Sequence, residues 1–174
     1  MRTILGLSAA LMMLAATASA GDVKVEGVHL CCGACVKGVG KALKGVDGLA
    51  GIQCDRKAGS IVFSAESGDA AKSAIAALAD GGFFGTATLD GNGVAFPKSG
   101  AKSGAKADSI SISHVHLCCG GCISAAAKAV RGVEGVADVD CDRAGSSVKV
   151  TGSDVSVEAV VKALNGAGFN AKVE

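Results

Sequence analysis

The run Val28-His29-Leu30-Cys31-Cys32-Gly33-Ala34-Cys35 returns 87 residues later as Val115-His116-Leu117-Cys118-Cys119-Gly120-Gly121-Cys122, with seven of eight positions identical. Six of the eight cysteines of the chain lie in these two runs. The other two, Cys54 and Cys141, are also 87 apart, and each opens a Cys-Asp-Arg triplet. Thiols repeated at matched positions point to metal binding or to thiol–disulfide chemistry.

Residues three apart share a helix face, so the sulfurs of Cys32 and Cys35, and of Cys119 and Cys122, can converge at a strand-to-helix turn. Free backbone N–H groups and the helix dipole at such a turn favour thiolate over thiol. Gly33-Ala34 and Gly120-Gly121 put no bulk between the sulfurs. An exposed dithiolate of this kind selects soft ions: Cu(I), Hg(II), Zn(II) or Cd(II). About one ion per repeat is expected.

The remaining cysteines leave alternatives open. Cys31 and Cys118 are either small residues filling the loop or third thiolates; adjacent cysteines rarely pair, because the ring they close is strained. Cys54 and Cys141 alternate with Ile52 and Val139 onto one strand face, which favours the core. Their triplets are kept whole while the flanking helices diverge, which favours a shared role as fourth ligand or disulfide partner of a loop cysteine. The candidate metal ligands are therefore Cys31, Cys32, Cys35, Cys54, Cys118, Cys119, Cys122 and Cys141. His29 and His116 are read as strand-end residues packed beside the loop, and His114, opposite Gly27 in the first repeat, as incidental. Phe83 and Phe169 are read as core residues.

The elements that must hold these loops follow from periodicity. Val23 and Val25, and Ile110 and Ile112, alternate with polar residues as strands do. After each loop, Val36, Val39, Leu43 and Val46, or Ile123, Ala126, Val130 and Val133, recur at helical spacing, with Gly48 and Gly135 as stops. A second strand ends at Cys54 or Cys141, and Asp55 to Gly59 or Asp142 to Gly145 make a hairpin turn. A third strand passes through Ile61-Val62-Phe63 or Val148-Lys149-Val150. A second helix carries Ile75 and Leu78, or Val157, Val160, Val161 and Leu164. A last strand takes Thr86 to Leu89 or Ala171 to Val173. The order βαββαβ, with right-handed crossovers, predicts an α+β chain of two ferredoxin-like domains, each an antiparallel sheet with two helices on one face.

Residues 1–20 have the form of a secretory signal peptide: Arg2, an apolar run from Ile4, and the small-residue site Ala18-Ser19-Ala20. Domains are expected at 21–91 and 109–174. Between them, residues 92–108 repeat Lys-Ser-Gly-Ala, hold the single proline, and predict a flexible linker. The expected product is exported, a periplasmic residence being the simplest destination, and does not insert in a membrane once the signal is cleaved. Of the 17 basic residues, Arg2 leaves with the signal, which balances the rest against 16 acidic ones. That balance, and the lack of Trp and Tyr, argue against nucleic acid as a partner.

The order β-loop-Cys-x-x-Cys-α-β-β-α-β in about 70 residues resembles that of heavy-metal-associated domains, the family of copper chaperones, of metal-pumping ATPase modules and of periplasmic mercury-binding proteins. The Gly-Phe pairs Gly82-Phe83 and Gly168-Phe169 match that family's Gly-aromatic near the end of the second helix. Where the family has Met-x-Cys-x-x-Cys, this chain has Leu30 and Leu117 for the Met and Cys31 and Cys118 at the intervening position; His29 and His116 replace a glycine. The resemblance implies a non-enzymatic metal carrier whose partners are a metal ion and a membrane metal transporter or another metal-binding domain. The alternative is a periplasmic dithiol–disulfide redox protein using the same loops.

Overall fold

The computed structural model describes residues 20–174; apart from Ala20, the expected signal peptide lies outside the described residues. The first unit runs β1 (Gly21–Glu26), α1 (Gly33–Leu43), β2 (Leu49–Asp55), β3 (Ser60–Ala65), α2 (Gly68–Asp80) and β4 (Thr86–Leu89). A short β5 (Asn92–Val94) folds back on β4. The second unit repeats the order with β6 (Lys106–Ser113), α3 (Gly120–Arg131), β7 (Val136–Asp142), β8 (Ser147–Ser156), α4 (Val157–Gly166) and β9 (Lys172–Val173). The strand orders are β2-β3-β1-β4-β5 and β7-β8-β6-β9, with antiparallel neighbours throughout. The predicted α+β fold, two ferredoxin-like units, is what the chain adopts.

Strand alternation puts Val23, Val25, Ile61 and Phe63 of one unit, and Ile110, Ile112, Val148 and Val150 of the other, into the core. There they meet Val39, Leu43, Ile75 and Leu78, or Ala126, Val130, Val160 and Leu164, from the helices. Burying a side chain of this size contributes about 1.5–3 kcal/mol, so the helices are held mainly by packing. α2 and α4 also start on serine caps: Ser67 Oγ accepts from Ala70 N at 3.1 Å and Ser156 Oγ from Ala159 N at 3.3 Å.

Three local expectations differ from the structure. The first helix of each unit ends at Leu43 or Arg131, so Val46 and Val133 lie in the turn beyond. The helices close at the cap residues Lys44 and Gly132, and Gly48 and Gly135 take φ of 75° and 83° in the turn that follows. Ile52 is exposed rather than paired with Cys54 in the core, because β2 slips register between Ala50 and Gln53, where Gly51 takes φ 66°. The segment 92–108, expected to be irregular, carries strand at both ends. Its middle is tied to the second unit: Val173 N donates to Ser99 O at 2.8 Å, and Gly104 N to Glu158 Oε2 at 2.9 Å.

Candidate metal centre

Each cysteine loop bridges a first strand to a helix, and Cys32 and Cys119 stand at the N-cap positions in extended conformation (φ −149° and −152°). Neither helix has a side-chain cap. The N–H groups of the first turn therefore remain for the sulfurs. Cys35 and Cys122, one turn in, are fully buried, whereas Cys31 is exposed and Cys32, Cys118 and Cys119 are partly so.

The two loops face each other. Cys31 Sγ lies 3.5 Å from the sulfurs of both Cys119 and Cys122. Cys35 Sγ is 3.5 Å from Cys118 and 3.8 Å from Cys122. Cys32 Sγ is 3.8 Å from Cys118 and 4.0 Å from Cys119. Within the loops, Cys35 is 3.7 Å from Cys31 and 3.9 Å from Cys32, and Cys122 is 3.5 Å from Cys118 and 3.7 Å from Cys119. Six free thiols thus form one cluster across the junction of the units. The sequence predicts two loops acting separately; what it does not carry is the docking that joins them.

That docking is built by the other repeated residues. His29 N donates to Gly168 O and His116 N to Gly82 O, both at 3.2 Å. Phe84 N also donates to Gly168 O (3.3 Å), and Asn170 N to Gly82 O (2.9 Å). The His29 ring stacks on Phe169 with centroids 4.4 Å apart, and His116 stacks on Phe83 at 4.2 Å. Phe83 and Phe169 are bridged directly as antiparallel neighbours. Gly82 and Gly168 take φ of 85° and 84°, and a Cβ on either would overlap the backbone nitrogen of His116 or His29 in the other unit. His29 and His116 do pack beside the loops, as expected, but against the opposite unit. His114, expected to be incidental, faces Asp80 across the junction at 3.9 Å.

Contact among the sulfurs sets their acidity. Backbone hydrogen bonding by Cys122, and then contact with the Cys31 and Cys122 sulfurs, brings the Cys119 thiol down to about 6. Burial would raise Cys35, but hydrogen bonds from Cys32 and from the sulfurs of Cys118, Cys31 and Cys122 outweigh it and hold it below the ordinary range. Burial, reinforced by sulfurs that draw on their protons, pushes Cys31 and Cys118 up, and burial pushes Cys122 up. The cluster without an ion is therefore a mixture of thiolates and thiols that share protons. Burial also keeps the imidazoles of His29 and His116 neutral by lowering them. His29 has a ring nitrogen within 4.8 Å of the Cys31 and Cys122 sulfurs, and the Nε2 atoms of both histidines are buried without a hydrogen-bond partner.

Cys54 and Cys141 are partly buried, burial raises both thiols, and neither belongs to the thiol cluster. Cys54 instead lines an open cleft with Leu30, Cys31, Asp55, Arg56 and Lys57. The triplet it opens serves the loop through its other members. Asp55 Oδ1 accepts from Lys57 N at 2.8 Å and Ala58 N at 3.1 Å, which closes the hairpin turn, and the Arg56 guanidinium donates to Cys31 O at 3.0 Å. In the second unit Asp142 Oδ1 likewise accepts from Ala144 N at 2.8 Å.

Residues 112–170, within the second unit, match the heavy-metal-associated domain family. No curated protein matches the chain. Among solved structures, oxidized MerP from Ralstonia metallidurans CH34 is similar at 29% identity, covering 38% of this chain and 94% of that one, with a TM-score of 0.36. The apo HMA domain of a copper chaperone for superoxide dismutase is similar at 25% identity, covering 47% of this chain and 85% of that one, with a TM-score of 0.34.

Proposed function

We propose that the chain is an exported carrier or store of soft metal ions, which it holds between its two units through the thiolates of the cysteine loops. The observation that supports this most directly is the convergence of six free loop sulfurs at 3.5–4.0 Å from their neighbours. Metal–thiolate bonds of about 2.3 Å separate the sulfurs around one ion by about 3.8–4.0 Å, so the donors already stand at ligand spacing. The match of residues 112–170 to the heavy-metal-associated family supports it independently.

The depth of the site suggests how an ion would move. Cys35 and Cys122, fully buried, anchor it from below, and the exposed Cys31 is the thiol an incoming or outgoing ligand meets first. Exchange would proceed one thiolate at a time, to a thiol-bearing domain of a membrane transporter or of another carrier. Among the described residues no helix is long and apolar enough to cross a membrane. The same exposed thiols would serve a dithiol–disulfide protein, which is the competing reading.

The test is anaerobic purification of the reduced full chain, followed by elemental analysis and competition for Cu(I), Hg(II), Zn(II) and Cd(II). Retention of a soft ion against a thiol buffer is the expected result. An empty chain that instead passes disulfides to a reduced substrate protein would replace this function with the redox one.

A further inference from the structure

Each loop sulfur touches several others, and the pattern of contacts limits what the cluster can hold. Among the ten contacts of 4.0 Å or less, four sets of three sulfurs are mutually in contact: Cys31-Cys35-Cys122, Cys35-Cys118-Cys122, Cys31-Cys119-Cys122 and Cys32-Cys35-Cys118. Exchange of the two units converts the first set into the second and the third into the fourth. No four of the six sulfurs are mutually in contact at that distance. A closed tetrahedral site of four thiolates is therefore not what this arrangement presents; it presents four triangles. A trigonal ion with bonds of about 2.3 Å needs sulfurs about 4.0 Å apart, and the triangles have edges of 3.5–3.9 Å.

Triangles that share edges mean thiolates that bridge. Cys35 and Cys122 each belong to three of the sets, Cys31 and Cys118 to two, and Cys32 and Cys119 to one. Ligand count favours the same answer. A single ion takes at most four of the six sulfurs and leaves at least two loop thiols of the same cluster without a metal. Soft monovalent copper accepts three sulfur donors and pairs with thiolate by preference.

Resting on the metal-binding reading above, we propose that the six loop cysteines form one polynuclear Cu(I)–thiolate cluster shared by both units, with an ion in each sulfur triangle, rather than one separate mononuclear site per unit. In loading, the loop cysteines that are still thiols release their protons and four Cu(I) ions enter, so six thiolates and four Cu(I) leave a net charge of −2 on the metal–sulfur core. Copper enters and leaves as Cu(I), so no electron transfer is involved.

The experiment is an anaerobic titration of the reduced full chain with Cu(I) in the presence of a Cu(I)-specific chelator, read by native mass spectrometry and by the luminescence of water-shielded Cu(I)–thiolate clusters. Three or four coppers per chain, appearing together with luminescence, are expected. Saturation at one or two coppers without luminescence overturns the cluster while leaving metal binding intact; no copper retained against the chelator overturns both. Cys31→Ser and Cys118→Ser, at partly accessible positions outside the Cys-x-x-Cys pairs, provide the second measurement. Each should lower the saturating count by two, whereas two mononuclear Cys-x-x-Cys sites would keep their full count in both variants.

Discussion

Gly168→Ala separates the docked arrangement from two independent loops without touching a thiol. Gly168 has φ 84°, where an L-residue costs about 1–2 kcal/mol. The added Cβ would overlap the backbone nitrogen of His29 and lie 2.6 Å from Gly27 O, groups that cannot rotate away. The second unit must then lift from the first at this point. It gives up the hydrogen bonds from His29 N and Phe84 N to Gly168 O and the stack of His29 on Phe169. Two such bonds contribute about 1–3 kcal/mol together, and an aromatic pair about 0.5–1.5 kcal/mol. Docking should therefore weaken by about 1.5–4.5 kcal/mol, which corresponds to roughly 10- to 1,000-fold in affinity for any ion that needs both loops. The control is Gly166→Ala, whose Cβ meets nothing within 4 Å and which ends α4. Competition titration with a soft ion and small-angle scattering should show weaker binding and a larger radius for Gly168→Ala only. If Gly168→Ala keeps the affinity and the radius of the parent chain, the loops do not act together and the shared centre is wrong.

Cys54→Ser and Cys141→Ser should leave the metal count of the full chain unchanged, as elemental analysis of loaded samples would reveal, because neither thiol belongs to the cluster. Cys119 should be the thiol of the apo chain that alkylates fastest near neutral pH: with its pKa lowered to about 6 it is thiolate at pH 7, and the rate should fall as pH drops through 6. Cys54, raised by burial, should stay slow over that range, with peptide mapping after brief iodoacetamide exposure as the readout for both. Arg56→Ala should speed alkylation of Cys31 several-fold by releasing the carbonyl that the guanidinium holds at 3.0 Å, with little change in thermal stability because the contact is exposed.

The fold was legible because its signals are local. Alternation at Val23-Val25 and Ile110-Ile112, helical spacing through Val39 and Leu43, and the hairpin at Asp55–Gly59 each follow from a few adjacent residues, and the repeat supplies each signal twice. Where the reading missed, small local changes decided the matter: the first helices close at Lys44 and Gly132, before Val46 and Val133, and Gly51 sits in the bulge that turns Ile52 outward. The Cys-x-x-Cys pairs were legible as donors for the same reason. That six sulfurs make one centre was not, since it depends on how two separate units dock, and no spacing along the chain encodes that.

The docking did leave a trace in the sequence, in residues that a single domain does not require. His29 and His116 recur in front of the loops, and Gly82-Phe83 and Gly168-Phe169 recur at the helix ends. Within one unit these pairs have no evident connection. Across the junction each histidine of one copy meets the Gly-Phe of the other, twice, as residue i meets j and j meets i in a two-fold dimer. A duplicated domain with a self-complementary face becomes a dimer within one chain, and the segment 92–108 holds the halves at a high effective concentration. The centre that results has its symmetry axis between the loops, where the Cys35–Cys122 and Cys32–Cys119 contacts each map onto themselves. Neither unit alone can supply those contacts, and this is why the repeat of the histidines and glycines, as much as that of the cysteines, belongs to the thiol cluster.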